Sequence, residues 1–478
     1  MMAKRSLFIL ALALVGVVFS DLEVSTLEPW VELGRMFSGA ISPDFSPLAS
    51  VGQALFNTVA FALIGTCLGG LIGGILALFW SHLFIRLSCA FIRSIHELFW
   101  AFLLMPLVGL NPTCGVLAIA IPYAGIFAKV YAEILEEADP RPLKAIPQGS
   151  DSISRFFYGY LPSLFKELKH YTSYRFECAL RSSAILGFIG LPTLGYHLET
   201  WFREAKYGQA FALLYVFYFL VLSLKTWARP KLLLLWVSLA LFGISKEVSF
   251  SWENTKRFFT SDILPWPLRA GKGVEGLGQW FWDLASLQAW EGMVNTLVLT
   301  QISLALSAIF ALILFPLASQ TFAGRSKLGG RFFLVILRST PEYFLAYIAI
   351  YLLGPSMLPA IIALVIHNGA ILGHLSSLNA DQITFDMAAP RKRINLYLYE
   401  VLPRIYGQFL AFLLYRWEVI FRESAILGIL GVYSLGFFID SAMALDHLDE
   451  AFALIVFSGL LNILIDQISR KMRVGLKK

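Results

Sequence analysis

Two runs of charge set inside apolar sequence hold the residues with chemistry to offer. Tyr174-Arg175-Phe176-Glu177 leads on to Arg181, and Tyr415-Arg416-Trp417-Glu418 leads on to Arg422. If the surrounding segment is a helix starting near Tyr171, Arg181 lies about ten residues, or roughly 15 Å, along it. That depth is near the middle of a bilayer, where a guanidinium is costly and marks function by default. Glu177 and Glu418 stand four residues before Arg181 and Arg422, within helical reach. In one reading each pair neutralises itself and rivets helices together. In the other the arginines line a pathway and offer forked donors to an oxyanion. Arg175 and Arg416 belong to the same candidate set, although their place nearer a helix end also suits snorkelling anchors. Glu97 and Glu342, beside Arg93 and Arg338, read as structural.

Other chemistry is missing from the sequence. There is no Gly-x₄-Gly-Lys-Ser/Thr phosphate loop, no His-Glu-x-x-His and no Gly-x-Ser-x-Gly. His367 and His374, seven apart, share a helix face; packing or polar helix contacts are the first reading and metal ligation the alternative. Cys67, Cys89, Cys114 and Cys178 are isolated in apolar surroundings, so they form neither a disulfide framework nor a zinc site.

The elements that must position these charges follow from composition. Of 478 residues, 58% are apolar and 36 more are glycine, while charged residues make up 15% against about 25% in soluble domains. With a mean hydropathy of +0.69, the chain cannot cover a globular surface with polar groups. It is expected to be an all-α polytopic membrane protein. Apolar windows of about 20 residues start near Ser6, Val51, Leu98, Cys114, Tyr171 and Gln209. A second set starts near Leu232, Gly292, Phe332, Met357, Gln408 and Ala451, giving about 12 transmembrane helices. Gly65–Gly74 interrupts one of them. Alternation puts every dense basic cluster on one side, which the positive-inside rule makes cytoplasmic, together with both termini. The net charge of +6 therefore reads as membrane orientation, with no nucleic-acid partner. Lys4-Arg5 and the apolar run after them fit either a retained first helix or a signal peptide.

The chain also repeats itself. Tyr174-Arg175 and Tyr415-Arg416 are 241 apart, as are Leu161-Pro162 and Leu402-Pro403, Gly190 and Gly431, and Gly195 and Gly436. Arg93-Ser94 and Glu97 recur 245 residues on; Asn57-Thr58 recur after 238. The first repeat is assigned to 1–230 (core about 51–229) and the second to 231–478 (core about 292–470). Each contains an even number of spans, so the copies are expected to be parallel, with a pathway between them.

A basic amphipathic loop precedes each Leu-Pro. In the first repeat Gly149 stands thirteen residues before Pro162; in the second the loop runs from Pro390 and Arg391 to Leu402 and Pro403. This spacing resembles the "EAA" loop of ABC importer permeases. The Tyr-Arg-Phe-Glu-x₃-Arg run narrows the likeness to permeases of phosphonate ABC importers, over most of both repeats. The resemblance implies an ABC type I importer permease-like fold, with two units fused where family chains usually carry one and pair. It implies ATPase-coupling loops through Gly149, Ser150, Phe157, Leu161 and Pro162, and through Pro390, Arg391, Leu398, Leu402 and Pro403. It further implies a separate ABC ATPase dimer holding ATP and Mg²⁺, so that this chain carries no cofactor and is a transport subunit rather than an enzyme. A periplasmic or extracellular substrate-binding protein would deliver phosphonate, phosphite or phosphate to a bacterial inner membrane, and alternating access would move it inward. Pro390 departs from the family pattern by replacing the loop glycine, and it fixes φ and removes a donor. The alternative is a major-facilitator-like secondary transporter, whose basic inner loop Gly324–Arg331 resembles without its acidic residue.

Overall fold

The computed structural model describes residues 2–26, 28–139, 141, 146–147, 149–244, 251–384, 393–474 and 476. These residues are overwhelmingly helical and include no strand. Helices are the open-ended solution in lipid, because each satisfies its own backbone donors and acceptors. Five helical stretches are long and apolar enough to cross a membrane: Ser46–Leu78, Pro112–Glu136, Gly273–Ala318, Met357–Asp381 and Leu448–Arg473. Three bent helix pairs bring the number to eight if each is one span. Each of the twelve apolar windows begins on or within two residues of a described helix, but those near Gln209 and Leu232 meet helices of 16 and 11 residues, and those near Leu98, Tyr171 and Phe332 belong to bent pairs.

The chain divides into two compact units, Ser38–Phe258 and Met1–Phe37 with Phe259–Lys478. The two repeat cores, 51–229 and 292–470, lie one in each. The N-terminal helix α1 (Met2–Val18) packs in the unit built from the second repeat. There the Ile9 carbonyl accepts from the buried Gln301 amide at 3.2 Å, and Ser6 and Tyr406 hydroxyls meet at 2.6 Å. In the structure the segment after Lys4-Arg5 lies in helix α1.

The unit Ser38–Phe258 contains α2 (Gly52–Leu78), α3 (Leu83–Ser94), α4 (Glu97–Val108), α5 (Pro112–Glu136), α6 (Leu161–Ile185), α7 (Leu194–Arg203), α8 (Tyr207–Leu222) and α9 (Leu233–Gly243). The glycines of α2 do not interrupt it. They form its contact with α5: a Cβ at Gly65 would lie 2.9 Å from Ile119 Cβ, and one at Gly69 would lie 2.8 Å from Tyr123 Cβ. Small residues let backbones approach where no hydrophobic force separates helix from lipid.

The other unit repeats the order with α10 (Trp290–Ala318), α11 (Lys327–Ser339), α12 (Glu342–Leu353), α13 (Met357–Asp381), α14 (Leu402–Ile426), α15 (Leu435–Ala444) and α16 (Leu448–Arg473). The register is kept to the residue. Helices α4 and α12 start 245 apart, as do α5 and α13; α6 and α14, α7 and α15, and α8 and α16 start 241 apart. Gly190 and Gly431 end their helical turns at φ +91° and +87°, a conformation that glycine adopts without a Cβ penalty. The α3–α4 and α11–α12 pairs bend by 95° and 85°. In the second, Pro341 forces an extended Thr340 (φ −68°, ψ 119°).

Even single hydrogen bonds recur. Thr58 Oγ1 accepts from Leu194 N–H at 2.9 Å, and Thr296 Oγ1 accepts from Leu435 N–H at 2.9 Å. Asn57 donates to the Pro192 carbonyl and Asn295 to the Tyr433 carbonyl, at 2.9 and 2.8 Å. Both threonines are fully buried, so removing the hydroxyl strands a backbone donor. Thr58→Val and Thr296→Val are each expected to cost about 1–3 kcal/mol. The check is the unfolding midpoint of the detergent-solubilised protein, which should fall for both.

Candidate functional site

Each unit buries a polar cluster where α6 or α14 passes the bend of a helix pair. In the unit Ser38–Phe258 the bend supplies His96 and Glu97. Leu98 N–H donates to His96 Nδ1 at 3.1 Å, so the opposite ring nitrogen carries the proton; it lies 3.0 Å from Glu97 Oε2. From α6, Ser182 Oγ donates to Glu97 Oε1 at 3.3 Å. About two turns back along the helix, Arg175 Nε–H donates to the Tyr171 hydroxyl at 2.8 Å. Its guanidinium lies 5.4–5.8 Å from the ring centres of Tyr123, Tyr171 and Tyr174, a spacing at which aromatic faces attract a cation. Arg181 Nη2 donates to Cys178 Sγ at 3.4 Å.

In the other unit the same register holds different groups. Asn368 stands where Tyr123 stands, His367 where Pro122 stands, and Glu423 where Ser182 stands. Arg416 Nε–H donates to Asn368 Oδ1 at 2.7 Å; Nη2 donates to the same oxygen and, at 3.3 Å, to Glu423 Oε1. Asn368 Nδ2 completes the triangle with a 3.0 Å bond to Glu423 Oε2. His367 Nδ1 lies 3.0 Å from the Thr340 carbonyl, and its Nε2 lies 3.7 Å from Glu342 Oε2. Glu342, His367, Asn368, Arg416, Glu418 and Glu423 are all buried. Burial of this much charge is tolerable only because acids and bases meet and their remaining lone pairs are used.

The structure therefore places the sequence-selected charges as follows. Arg175, Glu177 and Arg181 lie on α6 and are half-buried; Arg416, Glu418 and Arg422 lie on α14, with Arg422 half-buried. Arg416, which the sequence also allows as a snorkelling anchor, is locked inside instead, because Glu423 and Asn368 face it. Sequence reasoning missed Glu423, Asn368, Tyr123 and His96. Substitution of Tyr123 by Asn368 and Ser182 by Glu423 at fixed repeat offset was the available signal. Glu97 and Glu342, read as structural, are central to both clusters.

The Leu-Pro loops have their own geometry. Gly149 turns at φ +105°, the Ser150 hydroxyl donates to the Pro147 carbonyl at 2.8 Å, and a π-turn over Phe156–Tyr160 runs straight into α6. Upstream, the Arg141 backbone N–H and guanidinium hold the Asp139 carboxyl below the usual carboxylate range. In the second loop Pro390 and Arg391 lie outside the described residues. The π-turn Leu396–Val401 is pinned by Tyr397, whose hydroxyl donates to the Leu312 carbonyl at 3.0 Å and whose ring stacks on Phe315. Before each Leu-Pro, at equivalent positions, an apolar pair faces outward: Phe157 and Tyr158 at 55% and 79% exposure, Leu398 and Tyr399 at 46% and 73%. Leu161 and Leu402 are half-buried, and Pro162 and Pro403 are exposed.

No protein-family model matches the chain, and no solved structure does. Curated proteins do. The putative phosphite transport system permease protein HtxE of Stutzerimonas stutzeri is 32% identical over 152 residues, covering 31% of this chain and 58% of HtxE. The chain thus spans less than two thirds of that relative. The phosphate-import permease protein PhnE of Mycolicibacterium smegmatis is 22% identical over 472 residues, 91% of this chain and 87% of PhnE. The putative cryptic phosphonate transport system permease protein PhnE2 of Escherichia coli is 31% identical over 99 residues, 20% of this chain and 81% of its own length.

The buried triangle makes a testable demand. Arg416→Met leaves Glu423 unpaired and is expected to cost about 3–5 kcal/mol, whereas Arg416→Met with Glu423→Met costs less than Arg416→Met alone. Unfolding of the single and double variants in detergent measures the difference.

Proposed function

We propose that this chain, which belongs to the family of phosphonate-type ABC importer permeases and carries two permease units in one polypeptide, is the transmembrane subunit of an ATP-driven importer of phosphorus oxyanions. It is a transport subunit and not an enzyme. Relatives named for phosphite, phosphate and phosphonate support an oxyanion of phosphorus as the cargo, with the choice among the three left to transport measurements. A separate ATPase dimer on the cytoplasmic side would supply the work, and an external binding protein would deliver the cargo. The setting is a bacterial inner membrane with both termini cytoplasmic. Family membership, rather than the number of spans, separates this reading from a major-facilitator-like transporter.

The observation that carries the coupling half of this reading is the matched pair of outward apolar side chains, Phe157-Tyr158 and Leu398-Tyr399, at the same distance before a Leu-Pro in each unit. Large apolar side chains exposed side by side on a short turn cost solvation unless something covers them. Because each turn continues directly into α6 or α14, a push there reaches the charged segment of the same helix without an intervening hinge. Helices bearing Arg175 and Arg416 would then shift as closure of the ATPase dimer rocks the halves between inward and outward access.

Co-purification decides the coupling claim. Deleting 150–157 or 391–398 should release the ATPase subunit, and a complex that survives both deletions would refute the claim. For the pathway, the half-buried Arg175 is the stronger candidate for a fork offered to the oxyanion, since Arg416 is committed to Asn368 and Glu423. Arg175→Lys keeps the charge but loses the fork, so uptake is expected to fall roughly ten- to a hundredfold at equal protein level, the scale of one hydrogen bond to a charged group. Radiolabelled phosphite or methylphosphonate uptake into vesicles measures it.

A further inference from the structure

The two units treat a buried histidine beside a glutamate in opposite ways. In one, His96 accepts from Leu98 N–H through Nδ1, so Nε2 carries the proton, and it lies 3.0 Å from Glu97 Oε2. In the other, the nitrogen of His367 that meets the Thr340 carbonyl is Nδ1, at 3.0 Å. A carbonyl oxygen can only accept, so Nδ1 carries the proton there, and Nε2, the nitrogen that holds the lone pair whenever the ring is neutral, faces Glu342 Oε2. The separation is 3.7 Å, beyond the 2.7–2.9 Å or so of a charge-assisted hydrogen bond. It matches the spacing of two ligand atoms on one small cation with bonds of about 2.0–2.2 Å.

A third ligand atom converges on the same place. One donor atom from each of Glu342, His367 and Glu423 lies within 4.8 Å of the other two, and all three residues are buried. They come from three different helices, α12, α13 and α14, so the grouping is not an accident of local sequence. Nor is it a requirement of the repeated fold, since the first repeat has Pro122 and Ser182 at the registers of His367 and Glu423. The orientation of each ligand is already set from behind. Thr340 holds the imidazole by Nδ1–H, and Asn368 and Arg416 hold the Glu423 carboxylate by 3.0 and 3.3 Å bonds. Outer-shell bonds of this kind orient metal ligands.

We propose that Glu342, His367 and Glu423 form a buried site for a divalent transition cation with nitrogen and oxygen ligands, Zn²⁺ or Mn²⁺, present in the second repeat alone. A mixed imidazole–carboxylate set suits these ions, and three protein ligands leave a position for water or another oxygen ligand. The site does not depend on what the chain transports.

The test is metal content of the full-length protein, purified in detergent after growth with Zn²⁺ or Mn²⁺ and measured by inductively coupled plasma mass spectrometry. About one equivalent of one of these metals per chain is expected. His367→Gln and Glu423→Gln should each lower occupancy about tenfold or more, whereas His96→Gln should leave it unchanged. Chelation should lower the unfolding midpoint of the parent, and adding back Zn²⁺ or Mn²⁺ should restore it, with neither shift in His367→Gln. If that variant does not fold, Glu342→Gln carries the same expectation. A parent protein without stoichiometric metal and without a shift on adding it back overturns the proposal, because His367 is then an imidazolium paired with Glu342. Full metal content in folded His367→Gln or Glu342→Gln overturns it as well.

Discussion

Lipid offers no hydrogen bonds, and most of the architecture answers to that fact. A buried guanidinium in such surroundings must find acceptors from its own protein. Arg416 finds them on a neighbouring helix and one farther turn of its own: Asn368 and Glu423 share its donors. Two helices are thereby tied together, since α14 cannot rotate or slide without breaking the amide bridge to α13. The Asn57 and Asn295 amides and the Thr58 and Thr296 hydroxyls solve the same problem for turns that follow a helix end, each reaching a backbone group about 135–139 residues away. Polar side chains in this protein act as pins between segments.

Duplication kept the frame and released the centre. The turns at Gly190 and Gly431, the right-angle bends before Glu97 and Glu342, and the threonine bonds are common to both units. The contents of the polar clusters are not. In one unit an arginine lies among three tyrosine rings, which stabilise a cation without cancelling its charge. In the other the equivalent arginine is neutralised by a carboxylate and an amide. A single-unit permease that pairs with itself must place identical groups on both sides of its pathway. A fused chain is free of that symmetry, and here the two units differ in the chemistry of their buried clusters while each keeps the same internal geometry.

Much of the fold was legible beforehand, because hydropathy and repeat spacing are local or translational properties. Offsets of 241 and 245 read from short motifs reappear as helix starts. The membrane character and the permease family were readable from the same residues. What hydropathy could not show is direction: the window at Phe332 averages over a bend of 85°, and the window at Leu98 starts just past one of 95°. Gly65 to Gly74 looked like breaks because a lone helix loses by having glycine, while a packed pair gains close approach. Partner choice was hidden for another reason. A helix-face argument pairs Arg422 with Glu418 four residues earlier, but the triangle joins Arg416 to a residue seven positions on and to an asparagine on another helix. Asn368 is neutral, sits in an apolar run and attracts no notice until the fold sets it opposite a guanidinium.

The N-terminal helix has a consequence for how the molecule is made. Its Ile9 carbonyl and Ser6 hydroxyl are bound by Gln301 and Tyr406, yet nearly three hundred residues separate Ile9 from Gln301 in the order of synthesis. At ribosomal rates of about 5–20 residues per second, that interval is roughly 15–60 s. During this time α1 has no Gln301 to hold it, while the block from Ser38 to Phe258 has all its own internal contacts within reach. Biogenesis is therefore nested: the inner block can mature first, and α1 waits for a clasp that arrives with the second half of the chain.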